Sequence, residues 1–183
     1  FTGSNSFNNL EFDNASGIYI NSPIEVDNHL ILTSGTASTS TVNTLTVTNT
    51  DTDAVTGGDA STYINGPLNK KILDGQSFTF PVGKSGRFGE VNIAGATASG
   101  GTAIWQAEYY NQNPYNFGYD PSTFQTPLET VSNTEFWRIK HSASEQAEVT
   151  IRWDDESDIN PAYTDVGNIR MAQWLSDQWQ AIG

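Results

Sequence analysis

FNNLEFDN, residues 7–14, and VNTLTVTN, residues 42–49, decide how this chain folds. Each carries an apolar residue, an Asn pair or Asn-Thr, then Leu, an outward polar residue, an apolar residue and a closing Asn. Their spacing is 35 residues. Between them, apolar residues occur in short alternating pairs: Ile18 and Ile20, Ile24 and Val26, Leu30 and Leu32. Alternation at period two marks strands with one buried face. Segments this short cannot bury themselves, so the pattern favours coils stacked on one another as a parallel β-solenoid. The 35-residue spacing fits two short coils or one wide one. A pair of similar strands in an ordinary sandwich is the competing reading. In the stacked arrangement Phe12, Ile20, Val26, Leu32 and Val47 point inward, and Asn and Thr hydrogen-bond at the corners between coils.

The surrounding texture is also that of strands and turns. Thr, Ser, Asn and Gly dominate, and no stretch of helical length shows an apolar face at period 3.6. The 183 residues carry 8 Lys and Arg against 21 Asp and Glu, a formal charge of -13. A surface of that sign repels nucleic acid and anionic membranes and suits basic partners, divalent cations or plain solvation. No cysteine is present, which removes disulfides, thiolate nucleophiles and zinc–thiolate sites. There is no apolar run of membrane-spanning length and no signal peptide, so direct membrane insertion is not expected. Phe1 stands in mid-pattern, as expected of a piece processed or excised from a longer protein.

Composition divides the chain. Residues 1–69 hold no Lys or Arg but seven carboxylates, whereas most of the aromatics and all the basic residues follow from Tyr63 onward. The expectation is an all-β protein of two parts: a short parallel β-solenoid-like region over 1–62 and an antiparallel, jelly-roll-like β-sandwich over 63–183. The strings IRMAQW and QWQAI, residues 169–174 and 178–182, are expected to pair as a hairpin. Asn111–Thr134, rich in Pro, Asn and aromatics, is either an ordered loop over the sandwich or a ligand-facing element.

The second part carries a resemblance. GDASTYINGPLNKKI (58–72), FTFPVGKSGRFGEVNIAG (78–95), AEYYNQNP (107–114), EFWRIKHSASEQAEVTIRWDD (135–155) and IRMAQWLSDQWQAIG (169–183) together resemble a recurrent module of large secreted and surface proteins of Bacteroidetes, many exported by type IX secretion. In those proteins the module resembles a β-sandwich placed after solenoid-like, Asn- and Thr-rich repeats. The resemblance covers about residues 58–183 and brings no catalytic residues with it. It implies an extracellular or cell-surface location, and neighbouring domains or subunits of a surface protein or fibre as partners.

Among chemical sites, a nucleophilic triad is disfavoured: the only histidines, His29 and His141, fall in different regions, and no GxSxG elbow occurs. PVGKSGRFG, residues 81–89, lacks the phosphate-loop spacing and reads as a hairpin tip. No pair of carboxylates is singled out as acid and base, and the chain is read as a non-enzyme. No cofactor is required. Calcium is the one the sequence invites, in the acidic run DDESDINPAYTD (154–165), with Asp154, Asp155 and Asp158 as ligands, because a hard cation collects six to eight oxygens from such a loop. DTDAVTGGD, residues 51–59, is a lesser candidate. For glycans, Tyr110, Tyr115 and Tyr119 are the expected exposed rings, while Trp105, Ala107 and Tyr109 face the core. The function read from all this is a structural or adhesive module of a bacterial surface protein or filament, mediating assembly or attachment. A carbohydrate-binding module of a secreted protein is the alternative.

Overall fold

The computed structural model describes residues 5–142, 144–159 and 166–182. It divides into two compact units, one of Phe1–Tyr110 and Trp137–Arg152, the other of Asn111–Phe136 and Trp153–Gly183.

The first unit opens with stacked coils. The first coil contributes β1 (Asn5–Asp13) and β2 (Ile18–Tyr19), and the second β3 (Ile24–Ser34) and β4 (Ala37–Ser38). The third contributes β5 (Leu45–Val47), β6 (Val55–Thr56) and β7 (Ile64–Asn65), and the fourth β8 (Leu68–Leu73), β9 (Gln76–Phe80) and β10 (Val82–Lys84). One parallel ladder runs β1-β3-β5-β8, with β6 also on β3, and a second runs β2-β4-β7-β10. Asn5, Ile24, Leu45 and Leu68 stand in register, so successive coils are 19, 21 and 23 residues long.

This register corrects the 35-residue echo as a measure of the coil. Phe7 lies beside Val26 and Val26 beside Val47, so two coils take 40 residues. Val42, the echo's counterpart of Phe7, is 76% exposed in the connection before β5. The two strings match in composition, but the chain places them out of step because Val42–Thr44 lie in that connection rather than in a strand.

Parallel pairing continues past residue 62, through β7, β8 and β10, and the compositional change near Tyr63 therefore falls inside the stack. The ladders then change sense. β11 (Arg87–Phe88) folds back on β10, and β13 (Thr102–Tyr110) runs antiparallel along β8, with β14 (Phe136–His141) beyond it. Between them in sequence, β12 (Val91–Ala96) joins β9 and the later β15 (Glu148–Ile151) in an antiparallel sheet. The protein is all-β, with parallel solenoid-like coils followed by antiparallel sheets. A single core serves both: Val26, Leu30, Leu45, Val47 and Leu68 from the coils are continuous with Phe80, Ile93, Trp105 and Tyr109.

The second unit is small. β16 (Met171–Leu175) and β17 (Gln178–Ile182) pair antiparallel, the hairpin expected from IRMAQW and QWQAI, with Leu175 in the strand and a two-residue turn of Ser176 and Asp177, both at positive φ. The Asn111–Thr134 segment packs on that hairpin. Tyr119 lies edge-on to Phe136, Trp174 and Trp179, and main-chain bonds join Gln125 and Thr123 to Trp179.

Core position outweighs outward position along the same strand. Val47→Ala should cost about 2 kcal/mol or more, since its neighbours in the stack cannot close the void. Thr46→Ala, one residue earlier and half-buried on the outer face, should cost under ~1 kcal/mol. Urea denaturation of the two variants measures the difference.

Candidate functional site

Strand pairing sets the geometry of the coil region. On the inner face, Phe7, Val26, Val47, Lys70 and Trp105 occupy one column across five strands. On the outer face, Gln106 donates to Asn69 at 2.7 Å and Asn69 to Thr46 at 3.1 Å. Near the corner, Asn28 donates to Asn9 at 2.8 Å, and Asn49 donates to the Asn28 carbonyl at 3.1 Å. Ser6 and Thr48 both donate to Asp27, and these hydroxyls hold its carboxyl below the usual carboxylate range. Asn and Thr thus link coils as the sequence implied.

Lys70 was not anticipated. It occupies an inward position and is 1% exposed. Its ammonium donates to the Asn49 carbonyl, ending the asparagine series, and to the Lys71 carbonyl at 2.7 Å, and it lies 5.1 Å from the centre of the Phe78 ring. Burial pushes its pKa down to about 8, against the pull of Asp51. The only available sequence signal was the polar residue at the middle apolar position of LNKKI.

The two ends of the parallel ladder differ. At one end β8 is covered by β13. At the other, β1 pairs with β3 and with no other strand among the described residues, and its inward residues Phe7 and Leu10 are half-buried where Val26 and Leu30, one coil on, are fully buried. Along residues 8–13, then, no strand beyond β3 pairs with β1 among the described residues, and Leu10 is left partly open.

The expected ligand residues fall in different settings. Tyr110 is buried, contrary to the expectation of an exposed ring: its hydroxyl donates to Glu108 at 2.6 Å and accepts from Arg138 at 2.8 Å. Lys84 lies 3.5 Å from the same Glu108 carboxylate, and the Lys84 and Arg138 cations stand 5.4 and 5.0 Å from the Tyr110 ring centre. Alternation fails at this end of β13 because both of its faces are covered, so Ala107 through Tyr110 are all buried. Trp105, Ala107 and Tyr109 are in the core as read from the sequence. In the second unit, Tyr115 is 65% exposed, while Tyr119 is half-buried in the aromatic cluster already described.

Asp154, Asp155 and Asp158 are exposed around a short 3-10 turn. The Asp154 carboxylate accepts the Glu156 amide at 2.9 Å as the turn's cap, and Asp158 sits in the left-handed region that ends it. Among the described residues, no three acidic or imidazole groups gather to hold a metal ion. Residues 160–165 of the acidic run, Asp165 included, lie outside the described residues. His141 faces Glu145 at 3.3 Å and packs on Trp105, and His29 lies on β3.

A cleft of about 280 Å³ opens in the first unit beside β9 and β12. One wall is the strand-and-turn segment Val55–Gly58, held close to the coil below. A Cβ at Gly57, φ +84°, would stand 2.1 Å from the Leu32 carbonyl oxygen, so only glycine fits there. Phe88 and Val55, both half-buried, supply apolar lining, while Phe78 and Pro81 border the cleft but are buried. Thr79, Asn92 and Glu90 also line the cleft; Asn92 donates to Thr79 at 2.8 Å, and Arg152 donates to one oxygen of Glu90 at 3.2 Å.

No known protein family, curated protein or solved structure matches the chain. The likeness to Bacteroidetes surface modules therefore rests on the quoted strings alone.

Lys70 gives the coil region a pH dependence of definite sign. Between pH 8 and 10.5 the unfolded chain binds the proton more tightly than the folded one, so this lysine makes stability rise with pH across that window. The gain should be on the order of 3 kcal/mol. Comparing urea denaturation of wild type and Lys70→Met at about pH 7 and 10.5 isolates it from the tyrosines: the stability of the variant relative to wild type should fall as pH rises.

Proposed function

We propose that this chain is a structural module of an extracellular bacterial surface protein or filament, mediating assembly rather than catalysis. The observation that carries this reading is the asymmetry of the parallel ladder: among the described residues, β1 along residues 8–13 has a strand on one side only, while β8 is covered by an antiparallel strand. An unpaired strand edge is a template for another strand. β1 offers more than an edge, because Leu10 is half-buried where Leu30, one coil on, is fully buried. A further coil of the same construction would cover Leu10 and extend the parallel ladder. At the far end no such extension is possible, since β13 occupies the edge of β8. The module thus terminates a parallel stack and joins it to an antiparallel body.

Other features support the same reading without specifying it. The polar ladders, Asn9–Asn28–Asn49 and Thr46–Asn69–Gln106, link neighbouring coils and add directional bonds along the stacking axis. The extracellular placement comes with the resemblance to Bacteroidetes modules. The charge of -13 favours a solvated surface.

With one parallel edge available, the isolated chain should associate in pairs through β1 and stop there. Sedimentation across a concentration series should show a monomer–dimer equilibrium, and Asn8→Lys, which adds charge to the open strand, should shift it to monomer. A strict monomer at high concentration would remove the support for an assembling edge. Regular fibres seen by electron microscopy would contradict termination at β8.

A further inference from the structure

We propose that the cleft between Val55–Gly58 and the β9–β12 face binds a neutral hydroxylated ligand of one or two sugar rings. This site is separate from the open edge of β1, and neither reading depends on the other. The chemistry of its walls selects the ligand class. Phe88 and Val55, both half-buried, give apolar surface, which a pyranose can meet with its C–H face. The cleft is also lined by groups that exchange hydrogen bonds with hydroxyls. Thr79 accepts from Asn92 at 2.8 Å, and that bond leaves the Thr79 hydroxyl proton and the Asn92 carbonyl oxygen for a second partner. Glu90 engages Arg152 through one carboxylate oxygen, and its other oxygen can accept from a ligand hydroxyl. Ser77 and Thr52 add hydroxyls at the rim.

Charge and size narrow the class further. Glu90 in a chain of net charge -13 disfavours phosphorylated or carboxylated ligands. Arg152 already neutralises part of that carboxylate, so the wall does not call for a cation. The volume, about 280 Å³, lies at the lower edge of ligand-pocket sizes and is too small for an extended chain to be enclosed. The cleft is also held in shape without ligand. Gly57 lets the Val55–Gly58 wall approach Leu32 at a distance no side chain would permit, and a Cβ at Gly58 would stand 2.5 Å from the Pro81 ring. Preformed walls reduce the ordering cost of binding a small ligand.

The test is amide NMR of the full chain titrated with glucose, galactose, mannose, N-acetylglucosamine, maltose and cellobiose, with glucuronate as the charged comparison. At least one neutral sugar should bind with a Kd on the order of 1 mM. Its perturbations should fall on Gly57, Gly58, Thr79, Phe88 and Asn92, and glucuronate should bind more weakly. Thr79→Val with Asn92→Ala should weaken binding by about tenfold, from the loss of two polar partners on an outward face. An unchanged thermal midpoint shows that the double variant is folded; if it unfolds, Thr79→Val alone is read, with a weakening of about fivefold expected. No perturbation by any of the sugars at about 50 mM, well above the expected Kd, would overturn the proposal. So would perturbations confined to Tyr115 and its surroundings, or undiminished binding by the variants.

Discussion

The column Phe7–Val26–Val47–Lys70–Trp105 is the constraint on which the first unit depends. Each member stands at the same register position of a successive strand, so each coil must deliver an inward side chain at that point or leave a void. Backbone hydrogen bonds set the spacing of the strands but are indifferent to residue type. The column decides which register is used, because a one-residue slip would turn every inward side chain toward solvent. The coils can vary in length from 19 to 23 residues because the extra residues are absorbed outside the column, in the connections and, between β1 and β3, in register shifts along the strands.

Lys70 sits where the architecture changes. On one side of it lies Val47 on a parallel strand, and on the other Trp105 on an antiparallel one. A long side chain there spans the inner space and brings its ammonium to the carbonyls of Asn49 and Lys71. Burying that charge is costly, and the two carbonyls together with the Phe78 ring offset part of the cost. Beyond this point the inner space is filled by rings, among them Phe80, Trp105, Tyr109 and Trp137. The shift in composition near Tyr63 anticipates this change from narrow aliphatic coils to a wider aromatic core. It precedes the change in strand sense because β7 and β8 still pair in parallel.

Strands and their inward faces were legible because period-two alternation is local. Val26, Leu32, Val47, Trp105 and Tyr109 could each be placed in the core from their own segment. The final hairpin was legible for the same reason, two alternating runs around a short polar turn. Tyr110 was misread because alternation presumes one open face, and Lys84 and Arg138 close the other from strands distant in sequence. The cleft left no signature at all: Gly57, Thr79, Phe88 and Asn92 belong to four different segments, each unremarkable by itself.

By itself, then, the sequence determined the β class, the short stacked strands, the hydrogen-bonding Asn and Thr at coil corners, and a negative surface poor in basic groups. These follow from residue type and nearest spacing, which act without knowledge of the partner strand. Tertiary structure decided the coil lengths, the inward lysine, the burial of Tyr110 and the change from parallel to antiparallel pairing at β8. Those depend on which strand lies beside which. That choice is made by the joint filling of one core, where many weak side-chain contacts from remote segments are summed, and no single segment carries the result.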